Sequence, residues 1–287
     1  MNFDIVCVLD IGIWNFKDEH MLGINFDTLS RKEAQDRARS LIFSGDQHIV
    51  VTPNPEMLVS ANSDQNFKNV LNAASMRLPD GIGLKIIGNI FGHPIKERIT
   101  GVDFLDDLMC LAEEVGSSVG FLGGRRTVPE LARDHFRKRY PNLNIVHADS
   151  GGEISYVSDG EKRKWNMEPG LIPRIQNASP EILVVALGQG RGAKQGKQEF
   201  WMYDHLESLP SVKLAIGVGG SLNFWAGYVK RAPKIMRFLG LEWLWRFARE
   251  PWRWHRIYTA VVIFPVLVVL EFCKTRYHSI GHDTGKK

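Results

Sequence analysis

Cysteine is scarce in this chain. Cys7, Cys110 and Cys273 are scattered and odd in number, so neither a disulfide framework nor a metal-ligand spacing can be built from them, which suits a reducing compartment. The N-terminus, Met1 to Leu9, lacks a basic start and carries Asp4, so it does not read as a secretory signal. The apolar stretch Ala260–Leu270 falls well short of the roughly 20 residues that cross a bilayer as a helix, and Pro265 interrupts it. It therefore reads as a helix lying in an interface or packing on a partner. Neither an internal repeat nor a low-complexity segment is present.

Two nucleotide-binding fingerprints are incomplete. A Walker-type register across Gly188–Gly196 would need glycine where Arg191 stands, and Lys197 is followed by Gln198 rather than Ser or Thr. Gly217-Val218-Gly219-Gly220 lacks the third glycine of the dinucleotide motif, and no strand ending in an acid follows it at the required distance. An NAD-dependent enzyme is thereby disfavoured.

What is present suits a folded protein: 287 residues, 44% hydrophobic and 24% charged, enough for a full core and too apolar for disorder. The formal charge of +4 is unevenly placed. From Tyr228 onward there are 12 Lys/Arg against 4 Asp/Glu, whereas the preceding residues carry 24 against 28. A basic tail on an acidic body points to an anionic partner: nucleic acid, phospholipid headgroups or a diphosphate.

Segments of strand and helix character alternate. Short strands are expected near Leu22–Phe26, His48–Thr52, Ser118–Leu122, Asn144–Ala148, Ile182–Leu187 and Val212–Val218, with one further strand before Met21. Helices are expected from Ser30, which forms a capping box with Glu33, to about Phe43, and then over 55–62, 64–74, 102–115, 128–140 and 199–208. The polar stretch Ser150–Pro169 reads as a loop with a partial helix. Such alternation predicts an α/β fold, a parallel sheet flanked by helices, with ligands beyond the carboxyl ends of the strands.

Several loops at strand ends carry chemistry-bearing residues. Asp80 lies in Pro79-Asp80-Gly81, which by composition is a turn but can also display a carboxylate as a general base. Thr52 and Asn54 flank Pro53 after a strand, either as an N-cap arrangement or as neutral hydrogen-bonding groups facing a ligand. In the tail, Arg246, Arg249, Arg253 and Arg256 follow one another at helical spacing, which places them on one face of a helix unless Pro251 breaks it. Trp243, Trp245, Trp252 and Trp254, half of the eight tryptophans, interleave with them. That mixture suits a membrane interface, where indoles sit at headgroup depth and guanidiniums bind phosphate.

The ordered set Thr52-Pro53-Asn54-Pro55-Glu56, Pro79-Asp80-Gly81-Ile82-Gly83, Glu97-Arg98-Ile99-Thr100-Gly101-Val102-Asp103, Phe121-Leu122-Gly123-Gly124, Gln198-Glu199, Gly217-Val218-Gly219-Gly220, Arg231-Ala232-Pro233 and Leu241-Glu242-Trp243-Leu244 resembles glycosyltransferase family 26, the WecG/TagA/CpsF family. The resemblance runs from about Leu22 to Arg256. It implies a Rossmann-like core over residues 22–227, preceded by an N-terminal extension over 1–21 and followed by a basic membrane-docking appendage over 228–287. It further implies an inverting transfer, without a required metal or cofactor, from a UDP-sugar to an undecaprenyl-diphosphate-linked acceptor.

By the same resemblance Asp80 is the general base, and Thr52, Asn54, Arg98, Gly101 and Gln198 line the donor pocket. Arg231, Arg246, Arg249, Arg253 and Arg256 would meet the acceptor diphosphate or the membrane. The implied place is the cytoplasmic face of the plasma membrane, in surface-glycan synthesis, with a homo-oligomer possible and no nucleic-acid partner. A catalytically idle scaffold of the same fold and a nucleic-acid-binding protein are the competing readings. The sequence departs from the family at 188–199, which is expanded and basic, and at Asn223-Phe224, so the donor sugar stays open.

Overall fold

The computed structural model describes residues 20–160, 162–188, 190 and 195–283. The strand expected before Met21 and most of the loop 188–196 lie outside these residues. The chain opens with a small antiparallel pair, β1 (His20–Met21) and β2 (Ile24–Asn25). Then come α1 (Arg31–Ile42), β3 (His48–Val51), α2 (Pro55–Ser63), α3 (Gln65–Ala73), β4 (Met76–Arg77), α4 (Ile82–Ile90) and α5 (Gly101–Val115). The middle of the chain holds β5 (Val119–Gly123), α6 (Val128–Arg139), β6 (Ile145–Asp149), β7 (Ser155–Asp159), β8 (Lys162–Asn166), α7 (Leu171–Ala178), β9 (Ile182–Ala186), α8 (Lys197–His205) and β10 (Leu214–Gly217). Short helices α9 (Leu222–Trp225), α10 (Lys234–Phe238), α11 (Glu242–Arg249) and α12 (Trp254–Tyr258) lead to the long α13 (Phe264–Asp283).

Six strands form one sheet in the order β4-β3-β10-β9-β5-β6, every neighbouring pair parallel. Alternate residues of its central strands face opposite cores. Ile182 and Val184 of β9 and Leu214 and Ile216 of β10 enter the core with α1, α5 and α6. Leu183, Val185 and Ala215 enter the other, with α2, α3, α8 and α13. A parallel sheet is stable only when both faces are covered, which explains the continuous apolar runs of β9 and β10. The expected α/β architecture is therefore present, with a strand order different from the 3-2-1-4-5-6 of dinucleotide folds.

The chain leaves β3 towards β4 on one side, while β10 lies on the other side of β3. Such a switch of direction opens a crevice at the carboxyl ends of the strands. Thr52, just after β3, spans it by donating its hydroxyl hydrogen to the Gly217 carbonyl of β10 at 3.3 Å.

Several elements differ from the sequence expectation, the edge strand β4 and the short helices α9 and α10 among them. Residues 150–169 contain the β7–β8 hairpin, whose strand Lys162–Asn166 is mostly charged and gains its fold from Tyr156 and Trp165 packing at 5.0 Å rather than from an apolar face of its own. Helix α4 was hidden by its glycines. Gly88 is required there, because a Cβ would come within 2.7 Å of the His93 carbonyl oxygen. Helix α7 carries Pro173 in its first turn, where a missing N–H is tolerated.

The tail also departs from one uninterrupted helix. Glu250 leaves the helical region at φ −132° and ψ 64°, and a single 3-10 turn at Pro251–Arg253 separates α11 from α12. Proline supplies no N–H and disfavours helical backbone in the residue before it. Beyond that break the helical segment Pro251–Lys274 runs on for 24 residues, through a π turn at Thr259–Ile263, longer than the apolar stretch alone suggested. By length and composition it could cross a membrane. Phe264 and Val268, however, are buried in the core, and Glu271 accepts the Leu22 N–H at 2.8 Å.

Candidate active site

The site is built at the carboxyl ends of β3, β4 and β10. After β3, Pro53 and Pro55 hold the backbone extended, and Asn54 caps α2 by accepting the Met57 N–H at 3.1 Å. The N-cap reading of Asn54 is thus correct. After β4, the Asp80 N–H donates to the Pro53 carbonyl at 2.9 Å, which ties the two loops together. Gly81 follows at φ +124°, and a Cβ there would meet Pro55 at 3.2 Å. Only glycine enters that backbone region without strain, so the Pro-Asp-Gly triplet is a turn and also the device that presents Asp80.

Asp80 is part-buried. Its Oδ2 accepts the backbone N–H of Gly101, at the start of α5, at 3.5 Å. Gly101 is buried, and a side chain there would press on Ser221 at 3.2 Å and on Thr52 at 3.5 Å. Burial pushes the Asp80 carboxyl up to about 6. The Arg98 charge and the Gly101 hydrogen bond oppose that rise, Glu242 adds to it, and Arg246 lowers it. A carboxyl poised near neutrality in a crevice has the properties of a general base.

Gln198 comes from the first turn of α8. Its Oε1 accepts the Gly219 N–H at 2.8 Å, and its amide donates to Oε1 of the adjacent Glu199 at 2.9 Å. Glu199 is 1% exposed, and burial raises its carboxyl to about 7. Gln198 therefore supports the glycine turn after β10, and Glu199 stands behind it. The sequence contained this pair as a motif without indicating that Glu199 is interior.

The five tail arginines separate. Arg231 is committed to Asp103, bidentate at 2.6 and 3.1 Å, and approaches Glu242 at 3.5 Å. Arg249 lies outward, its guanidinium 5.0 Å from the Trp245 ring. Arg253 pairs with Glu250 at 2.6 Å, and Arg256 reaches back to Glu56 on α2 at 2.5 Å. Arg246 sits 5.0 Å from the Phe224 ring, with a buried Nε that no hydrogen bond satisfies. Burial lowers its pKa to about 10, with Arg253 and then Arg256 adding to the effect against Glu250 and Glu242.

A single face is therefore not what gathers these residues. The bend at Pro251 turns Arg253 and Arg256 towards Arg246 and leaves Arg249 outside. Arg98 is 3.8 Å from Glu242, so that carboxylate stands between Arg98 and Arg231.

The sheet thus carries a poised carboxyl and an arginine-lined rim at its carboxyl edge. The chain belongs to the Glycosyl transferase WecG/TagA/CpsF family, whose profile matches residues 19–278. It is a glycosyltransferase. Among similar proteins, one from Bacillus spizizenii is 29% identical over 237 residues, 83% of either chain. One from Bacillus subtilis is 30% identical over 209 residues, 73% of this chain and 74% of its own. One from Staphylococcus aureus is 29% identical over 239 residues, 83% and 85% of the two chains. Each of the three is named N-acetylglucosaminyldiphosphoundecaprenol N-acetyl-beta-D-mannosaminyltransferase.

Proposed function

We propose that this chain moves a sugar from a UDP-sugar to a saccharide carried on undecaprenyl diphosphate, inverting the anomeric centre, at the cytoplasmic surface of the membrane and in the assembly of a surface glycan. The relatives' names favour an N-acetylmannosaminyl donor and an N-acetylglucosaminyl acceptor. A UDP-hexose and a UDP-uronic acid derivative remain in the test panel, because the donor-side loop departs from the family pattern.

In the reaction, Asp80 takes the proton of the acceptor hydroxyl as its oxygen attacks the anomeric carbon. The bond to the UDP oxygen breaks, and UDP leaves with the electron pair. Thr52, Asn54 and Gly101 hold the sugar and nucleotide in the crevice, and Gln198 fixes the glycine turn beside it. Arg98 supplies positive charge as the diphosphate departs, the arrangement that electrostatic stabilisation requires. Arg246, with Arg253 and Arg256 close by, receives the acceptor diphosphate.

The observation that carries this reading is the part-buried Asp80 carboxyl, raised to about 6, between Arg98, Gly101 and the Thr52 loop. Membrane association rests on the apolar surface that the tail exposes among its Lys and Arg residues: Phe238 is 90% and Ile235 74% exposed, with Trp252 and Trp254 beside Arg253. Phe264 and Val268 pack into the core while Val261, Val262, Val266, Val269 and Leu270 stay exposed, so Pro251–Lys274 offers an apolar surface to the bilayer.

The test is a donor screen that follows UDP release with short-chain polyprenyl-diphosphate sugars, with and without EDTA. Release with one donor, dependent on the lipid acceptor and indifferent to EDTA, supports the reading. Silence from folded protein supplied with membranes and the whole panel overturns it.

A further inference from the structure

Five charged side chains from four segments of the chain alternate in sign across the site. Asp103 lies in the first turn of α5, where Thr100 donates its hydroxyl hydrogen to Oδ2 at 2.6 Å. Arg231 grips Asp103 with two hydrogen bonds. Glu242, the first residue of α11, stands 3.5 Å from Arg231 and 3.8 Å from Arg98. Arg98 in turn exerts the largest opposite-charge effect on Asp80. The side chains of Glu242, Arg98 and Arg231 are 14%, 19% and 20% exposed, so their attractions are screened less than those of a surface pair.

We infer that Glu242 is a positioning residue of the transferase. It holds the Arg98 guanidinium away from Asp80 and aims it at the place where the donor diphosphate departs. The inference rests on the glycosyltransferase reading above and goes beyond it, since Glu242 touches neither the reacting atoms nor the base.

Its physical basis is competition for one cation. Arg98 has two carboxylates within its reach, and in this arrangement it leans on Glu242 rather than forming a hydrogen-bonded pair with Asp80. Without the Glu242 charge, Arg98 is left with Asp80, the carboxylate on which its charge already acts. An Arg–carboxylate pair there would lower the basicity of the carboxylate and occupy the donors meant for phosphate. Asp80 is faced by Arg98 from the loop before α5, by the Gly101 N–H from α5 itself, and by Glu242 and Arg246 from α11. Removing Glu242 deletes the only negative member of that set. Arg231 stays anchored by Asp103, so the fold around it keeps its ion pair.

The experiment compares wild type, Glu242→Gln and Glu242→Asp by two measurements. The first is the pH profile of kcat for UDP release. In Glu242→Gln the acid limb should move down by half a pH unit or more and the plateau should fall at least tenfold, with Glu242→Asp recovering part of both. The second, independent of turnover, is carboxyl 13C NMR titration of Asp80, assigned with Asp80→Asn. Its midpoint should fall in Glu242→Gln whether or not a substrate pair is known.

A plateau that falls while limb and midpoint stay in place would mean that Glu242 is merely structural, and the inference would be lost. A midpoint that moves in a protein that releases no UDP with any donor would keep the positioning role and remove the proposed function instead.

Discussion

The Asp80 carboxylate accepts the backbone N–H of Gly101 at 3.5 Å, so the residue that opens α5 meets the turn that leads into α4 across the mouth of the sheet. This contact favours the charged form of Asp80, and burial works against it more strongly. The balance leaves a carboxylate that is basic enough to take a proton and is largely ionised at neutral pH.

Replacing that carboxylate should separate stability from activity. Asp80→Asn should lower kcat by about a hundredfold or more, the usual weight of a general base. In the folded protein the acid is raised from 3.8 to about 6, so ionising it costs stability once pH climbs above its unfolded value. The amide avoids that cost. Thermal unfolding at pH 7.5 should therefore show Asp80→Asn at least as stable as wild type, with a gain of roughly 1–2 kcal/mol after allowance for residual solvent contact. A large drop in Tm would show that the loss of activity is structural.

The same value sets the pH profile. The base must be unprotonated to work, so kcat/KM should rise with pH through about 6 and level off above 7. An acid limb centred near 4 would mean that burial does not govern this carboxyl.

Glu199 offers a test outside the pocket. Its folded-state acid is raised from 4.5 to about 7, so stability is retained below 4.5 and lost progressively as pH rises through 7. Glu199→Gln keeps an oxygen to accept from Gln198 and removes the charge. Chemical denaturation should show the variant gaining on wild type by up to about 3 kcal/mol at pH 8 and by little at pH 4.5. Equal differences at both pH values would contradict an interior acid.

The arginines should be unequal. Arg246→Ala removes a part-buried cation with an unsatisfied, buried Nε and should raise the KM for the lipid acceptor at least tenfold, with the donor KM changed less than threefold. Arg249→Ala, which removes an outward guanidinium over Trp245, should change the acceptor KM less than threefold. Equal losses from both would restore the picture of one continuous arginine face.

Membrane contact can be read by sedimentation with vesicles containing anionic lipid. Ile235→Asp combined with Phe238→Asp should reduce bound protein at least tenfold, since burying each apolar side chain contributes about 1.5–3 kcal/mol. Turnover on a water-soluble short-chain acceptor should survive. Undiminished binding would move the contact to another part of the surface.

Much of this protein is legible in its sequence because the determining physics is local. The capping box Ser30/Glu33 starts α1 as its spacing requires, and β9 and β10 read as buried strands because both sheet faces are covered. The Pro-Asp-Gly triplet was legible as a turn, with glycine where only glycine fits, whereas Asp80 and Thr52 were singled out as site residues by the family resemblance and not by local physics. The basic tail showed itself by composition alone.

Tertiary structure decided what depends on distance between remote segments. The hairpin β7–β8 is held by the Tyr156–Trp165 contact against the core and by Arg163 and Trp165 both reaching Asp204 on α8, at 2.6–2.8 Å. The break at Pro251 was already signalled by the proline itself, but the partners that divide the tail arginines, Glu250 for Arg253 and Glu56 for Arg256, were set by packing. The approach of Glu242 to Arg98, 144 positions earlier in the chain by their numbers, depends on how α11 lies across the sheet mouth. Sequence fixes which groups can ionise, pair or turn; only packing sets which of them meet, because hydrogen bonds need contact distances of about 3 Å and the attraction between charges depends on their separation and on the burial around them.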